Sequence, residues 1–428
     1  MSDAGDYSIL NTARAILCEG AICDHCLGRQ FAKLSTGMTN RERGHTIRLM
    51  LEMIASTGAD VSEPESERAK RGRCWVCNGL FEELDTWVSR GLEALGGCEY
   101  ESFLVGTRLS GLLSENEELL WEIVGTDYAE PLKSELNREV GKRIAEKTNR
   151  SVDFTKPDVV AILDLTKEMV RLQIRSVYIC SRYKKLVRGI PQTRWSCRTC
   201  RGRGCEECGF TGQMSVESVE ELVATDVIEA MSAVDIVFHG AGREDVDARM
   251  LGDGRPFVIE VKEPRKRSID LARLEQEINE HCEGKIVVSD LRFVDREMVR
   301  RLKSKRHDKV YLATVSCAGV DQDTLVRALD DITGMIRQRT PSRVVHRRAD
   351  LVRERKVYSV LLESFSVDCA VIRIECEAGL YVKELISGDD GRTMPSLAGA
   401  VGADMVVTAL DVVAIKDQVG ESYSSNSH

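Results

Sequence analysis

Eight of the 15 cysteines stand in four Cys-x-x-Cys pairs, Cys23/Cys26, Cys74/Cys77, Cys197/Cys200 and Cys205/Cys208. Pairs at this spacing turn two thiolates toward one ion, whereas a disulfide framework scatters its cysteines along the chain. The last two pairs are separated by four residues and surrounded by Gly202, Gly204, Gly209 and Gly212. The expected structure is a closed zinc site that stiffens a loop too polar to form a core. The first two pairs each run into a glycine, Gly28 and Gly79, as a metal knuckle does, and together offer four soft donors to a second zinc. Two unrelated pairs, one of them a redox dithiol, are the alternative. His25, inside the first pair, reads as a bystander rather than a ligand.

With 428 residues the chain has room for two or three domains, each with its own core. A net charge of −9 argues against an unspecific polyanion binder, yet a global balance can conceal a basic stripe. One such stripe runs from Arg182 to Gly204, with eight Lys or Arg, no acid, and Tyr183 and Trp195 between them. Cations for phosphates beside aromatic faces for unstacked bases suit looped RNA. Arg182, Tyr183, Lys184, Lys185 and Arg188 are therefore candidate RNA contacts, with a merely solvated face as the alternative. A second basic run, Ser342 to Val357, follows Gln338-Arg-Thr-Pro341 and offers His346, Arg347 and Arg348 to an RNA backbone. The N-terminus has neither a basic start nor an apolar core, and no apolar run approaches the roughly 20 residues of a membrane span. A cytoplasmic protein is expected.

Periodicity places a short helix over 6–18, an exposed loop from Ser56 to Arg73, and a strand at Phe103–Leu109. A helix follows whose Leu132, Leu136, Val140 and Ile144 form a core stripe, with Lys133, Arg138, Lys142, Arg143 and Lys147 outside. Strands follow at Val159–Leu165 and Val170–Tyr178. Beyond a linker near 212–216 come a helix over Val216–Met231 and strands at Pro256–Val261, Lys285–Val288, Lys309–Val315, Lys356–Glu363 and Val371–Glu377. The fold class is α+β, with an antiparallel or mixed sheet in the C-terminal half.

Between that helix and the strand at Pro256 lies Phe238–Gly252, with Asp245 and Asp247 set among glycines and arginines. Gly240 and Gly242 let the backbone turn tightly, and Arg243 and Arg249 suit phosphates or a carboxylate. In an extended segment the two aspartates project to one side. Spacing alone leaves open a plain surface turn in which the aspartates cap the loop.

The run GREDVDARMLGDGRPFVIEV resembles the catalytic motif of pseudouridine synthases, specifically the tRNA enzymes of the Pus-ten type. The resemblance makes Asp245 the catalytic residue and Arg243 a substrate contact. Lys309-Val-Tyr311-Leu-Ala resembles the Lys-x-Tyr-x-Ala motif of RluA-like enzymes, which implies that Tyr311 packs on the flipped base. Gly379-Leu-Tyr381-Val-Lys383 resembles the Gly-Thr-Tyr-Ile-Arg motif of TruB-like enzymes. It implies that Tyr381 shapes the pocket and that Lys383 pairs with Asp245, although Leu380 replaces the usual Thr. The segment from FLVGTRL to VDFTKPDVVAILDL resembles a THUMP domain, an RNA-binding module, and RGIPQTRW is typical of the archaeal enzymes. The implied organisation is a zinc-binding region over 1–98, a THUMP-like domain over 99–180, a basic zinc-knuckle loop over 181–214 and a synthase domain over 215–428. The implied protein is a monomer with structural zinc and no catalytic cofactor that converts uridines 54 and 55 of the tRNA T loop to pseudouridine. The second cysteine cluster also resembles a DnaJ-type finger, but a single copy with no J-domain signature speaks against a chaperone of that type; the alternative is a non-catalytic zinc-containing tRNA-binding or chaperone protein.

Overall fold

The computed structural model describes residues 8–58, 72–304 and 307–416. Most of the loop expected at Ser56–Arg73 lies outside these residues, as do the first two positions of the helix expected over 6–18, whose described part is Ser8–Glu19. The chain divides into two compact units between Arg175 and Ser176.

Among the described residues the first unit joins six α-helices to a four-stranded sheet. Its strands are β1 (Ser102–Arg108), β2 (Ser151–Val152), β3 (Val159–Asp164) and β4 (Met169–Ile174), in the order β2-β1-β3-β4. The helix Leu132–Thr148 buries Leu132, Leu136, Val140 and Ile144 completely, as a repeat of four residues requires. Its basic outer face is only partly free: Arg138 pairs with Glu130 and Glu139, and Arg143 with Asp85 at 2.9 Å, while Lys133, Lys142 and Lys147 are exposed.

The strand expected over Val170–Tyr178 is two strands. β4 ends at Ile174, and β5 (Val177–Lys185) pairs with strands of the second unit. Only Arg175 and Ser176 separate the two, too short a break to mark the change of pairing partner in the sequence.

The second unit is built on a ten-stranded sheet. After β5 come β6 (Asp235–Gly240), β7 (Ala248–Lys262), β8 (Ile286–Val294), β9 (Asp308–Ser316), β10 (Gly334–Arg339), β11 (Val352–Ser366), β12 (Cys369–Cys376), β13 (Thr393–Met394) and β14 (Val406–Lys416). The order is β13-β10-β11-β12-β9-β14-β7-β5-β8, with β6 also on β7, and every pairing except β14–β7 is antiparallel. One core gathers Val219, Val223 and Val227 of the helix Val219–Met231 against Ile179, Phe257 and Ile259; a second gathers Leu325 and Leu385 against Ala313, Ile372 and Ile374. Tyr311 of β9 packs against both.

The expected α+β class is the observed one. The segment 181–214, expected as a separate loop domain ending in a linker near 212–216, lies wholly inside the second unit. Among the described residues no helix is long and apolar enough to cross a membrane.

Candidate active site

Strands β6 and β7 pair as neighbours, and the seven residues between them, 241–247, carry Arg243, Asp245 and Asp247. Gly242 is required by its backbone conformation, and Gly240 sits close against the Gln192 amide that holds the loop. A Cβ on Gly240 would stand 2.7 Å from Gln192 Nε2, and Gly242 holds φ at 77°, in the left-handed region.

Buried polar groups hold this loop. Glu244 points inward, accepting from Arg255 Nε at 2.8 Å and from the Tyr183 hydroxyl at 2.9 Å, with both partners almost wholly buried. Arg255 Nη1 donates to the Ala241 carbonyl at 2.7 Å, and Gln192 Nε2 to the Gly242 carbonyl at 2.9 Å. Lys185 is fully buried and donates to the carbonyls of Ile190 (2.8 Å), Val246 (3.2 Å) and Asp245 (3.3 Å). Burial pushes its pKa down, against the attraction of Glu244 and Asp247. With Glu244 turned in, Asp245 is turned out.

The Asp245 carboxylate lies at a cavity of about 310 Å³ that Tyr311, Arg343, Leu380, Tyr381 and Lys383 also line. Arg343 Nη1 approaches it to 3.2 Å and Lys383 Nζ to 3.6 Å. Lys383 is nearer to Asp247, with contacts of 2.6 and 2.8 Å. The closer cation on Asp245 is therefore Arg343, whose Nε is fixed on the buried Glu384 at 2.6 Å. Burial alone would raise the Asp247 carboxyl, but Lys383 and Arg343 hold it below the usual range. Burial pushes the Tyr311 hydroxyl well up, so it stays protonated. Gln338 clamps the backbone of Tyr381, accepting from its N–H and donating to its carbonyl, both at 2.9 Å, while Arg348 donates to its hydroxyl at 3.0 Å. Arg243 lies over the Trp195 ring at 5.7 Å.

The eight paired cysteines form two tetrads, one in each unit, with all Sγ atoms of each within 4.8 Å of one another and no disulfide. The Cys23–Cys77, Cys197–Cys205 and Cys200–Cys208 separations are 3.7, 3.8 and 3.9 Å. A zinc–thiolate bond of about 2.3 Å makes the edge of a tetrahedron about 3.8 Å, so either tetrad can hold a metal ion of that size. His25 is no ligand: Nδ1 bonds Glu135 at 2.8 Å and the ring stacks on Phe81.

The basic stretch departs most from expectation. Tyr183 and Lys185 face inward and are wholly buried, so neither is available to RNA. Arg182 donates to the carbonyls of Asp253 and Gly254, and Arg188 to those of Asp247 and Leu410 and to Asp411 at 2.5 Å; Lys184 is half-buried. These arginines serve the fold because neighbouring strands present carbonyls where a strand edge turns. Arg249 likewise fixes a carboxylate, Asp411, at 2.6 Å. Arg348 and His346 are exposed, and the Arg347 side chain lies outside what is described.

Residues 178–416 match the family model of the Pus10 C-terminal region, and residues 87–164 that of the archaeal Pus10 THUMP domain. The chain is 51% identical to the tRNA pseudouridine synthase Pus10 of Methanothrix thermoacetophila over 95% of its own length and 94% of that protein. The chain belongs to the Pus10 family. Proteins of the same name from Halorubrum lacusprofundi and Pyrococcus furiosus are 44% and 41% identical, each over 96% of this chain and over 97% and 99% of their own lengths. A solved Cbf5-Nop10-Gar1 complex matches 55% of this chain and 48% of the other at 15% identity and a TM-score of 0.33, a likeness too distant to bear on the site.

Among the residues around this cavity that the sequence did not single out are Glu244, Arg255 and Arg343. The first two stood inside the quoted motif, where a carboxylate and an arginine eleven apart on a tight strand pair can meet. Nothing in the sequence set Arg343 apart from the arginines around it.

Proposed function

We propose that this chain is a tRNA pseudouridine synthase acting on uridines 54 and 55 of the T loop, with Asp245 as its catalytic residue. One observation carries the reading: the Asp245 carboxylate stands at the cavity between two cations, with Tyr311 in the wall. The names borne by its relatives supply the reaction and the class of RNA. Extruding the uridine from its stack costs about a few kcal/mol, which backbone contacts offset. Arg243 and Arg348 stand at the rim for those contacts, and Tyr311 packs on the base. Asp245 then attacks C1′ or removes the C2′ proton, and by either route the C1′–N1 bond breaks and the uracil turns; C5 bonds to C1′ as the Asp245 oxygen leaves or the C2′ proton returns, and C5 gives up its proton while N1 takes one. Arg343 and Lys383 keep the carboxylate in position, and Tyr381 shapes the pocket.

Both tetrads hold structural zinc in this reading, and the reaction uses no catalytic cofactor. The THUMP domain and the exposed Arg198 and Arg201 of the second cysteine loop grip the tRNA. The protein works as a cytoplasmic monomer. Mapping pseudouridine in an unmodified tRNA transcript after incubation tests the substrate. New pseudouridine is expected at positions 54 and 55; modification confined to other positions would contradict the assignment.

A further inference from the structure

Lys309 stands on β9 two residues before Tyr311, on the same face of the strand, and lines the same cavity. It is half-buried, and among the described residues its ammonium has neither a hydrogen-bond nor an ion-pair partner. The other cations of the wall are engaged. Arg343 is held by Asp245 and Glu384, Lys383 by Asp247 and Asp245, Arg348 by the Tyr381 hydroxyl, and Arg243 by the Trp195 ring.

Four charged or titratable groups surround the Lys309 ammonium: Arg255 of β7, Glu244 of the loop, Asp308 of its own strand and Cys376 of β12. None neutralises it. Glu244 already accepts from Arg255 and Tyr183, and Asp308 accepts from the Ala378 N–H at 3.3 Å. The Cys376 thiol is pushed up to about 12 by burial and is neutral. Desolvation and the neighbouring Arg255 push Lys309 down to about 8. An ammonium kept half-buried without a counter-charge weakens the fold, and the methylene stem alone would line the wall as well.

We propose that Lys309 contacts the substrate: its ammonium donates to a carbonyl oxygen of the extruded uracil and takes up the negative charge that the ring acquires as C1′–N1 breaks. The inference rests on the isomerase reading of this cavity. In that step the electron pair of the breaking bond passes to N1 and is shared with the ring carbonyls. By one route an Asp245 oxygen forms the new bond to C1′. By the other the C2′ proton goes to Asp245, and its electron pair becomes the C1′=C2′ double bond. Both leave the same anion beside Lys309.

The test compares Lys309→Met and Lys309→Arg with wild type in single-turnover cleavage of two tRNA transcripts, one with uridine and one with 5-fluorouridine, read as loss of the target nucleoside. Fluorine stabilises the ring anion, so cleavage of the second transcript depends less on an external donor. Lys309→Met is expected to slow the uridine transcript by about 100-fold, the loss typical of removing one such donor, with tRNA affinity unchanged. The deficit should shrink on the fluorinated transcript, and Lys309→Arg should restore most of the rate. The wild-type rate should fall as pH rises through about 8, where Lys309 loses its proton, whereas Lys309→Arg should not show that fall. Lys309→Met should melt no lower than wild type, since it removes an unpaired buried charge, and Lys309→Arg keeps the test alive if it does not fold. Equal loss on both transcripts, weaker tRNA binding without slower cleavage, or an undiminished rate would each overturn the assignment. A folded wild type that leaves the uridine transcript untouched would instead overturn the isomerase reading beneath it.

Discussion

Glu244 decides which way its neighbour Asp245 can face. Arg255 and Tyr183 receive its carboxylate inside the second unit, and Lys185 holds the following backbone carbonyls, so the next side chain emerges at the cavity. Removing one partner of a buried ion pair leaves the other uncompensated, at a cost of about 3–5 kcal/mol. Glu244→Ala is therefore expected to lower unfolding stability in urea by that amount and to abolish activity; a loss below about 1 kcal/mol, the range of a surface pair, would show that the network does not hold the loop. The place of Asp245 at a cavity was legible because a long motif surrounds it. Its partners were less so. The expected Lys383 is present, but Arg343 lies closer, and its role depends on Glu384, 41 residues further along the chain.

At the scale of elements, β5 shows why composition misled. Arg182 and Lys184 point one way and Tyr183 and Lys185 the other, as a strand requires, but here the inward residues are a tyrosine and a lysine rather than aliphatics. A basic stretch reads the same whether its cations meet phosphates or backbone carbonyls. Three helices and most strands were legible from their apolar periods, whereas helices such as Asn40–Ala55, Leu84–Leu95 and Leu271–His281 were not. Strand ends were not, because β7 continues through Arg255 into residues that read as loop. The second cysteine loop is closed at its base by the Ser196–Gln213 bridge and by the Cys197 N–H on the Gly212 carbonyl. It has few apolar groups to hold it without metal. If each tetrad holds one zinc, Cys200→Ser should lower the metal content by one ion per chain and open Arg198, Arg201 and Arg203 to trypsin. Unchanged cleavage after verified metal loss would mean that the loop is held by other contacts.

For the whole molecule, a net charge of −9 coexists with a cavity wall that carries five cations, Arg243, Lys309, Arg343, Arg348 and Lys383, against Glu244 and Asp245. Of these, the exposed Arg243 and Arg348 are left to meet phosphates, so affinity for tRNA should fall with salt, and Arg348→Ala should reduce the slope of log affinity against log salt by about one. A slope unaltered by that change would remove Arg348 from the phosphate contacts. The division into two units was legible only in outline, because the chain crosses between them at Arg175 without a glycine, a proline or a change of texture. The most direct measurement is tritium release from a tRNA transcript carrying 5-tritiated uridine, with wild type, Asp245→Asn and Asp247→Asn compared as folded, zinc-loaded proteins. Release by wild type and Asp247→Asn but not by Asp245→Asn is the predicted result. Release by Asp245→Asn at the wild-type rate would contradict Asp245 as the catalytic residue, and no release by wild type would contradict the reaction itself.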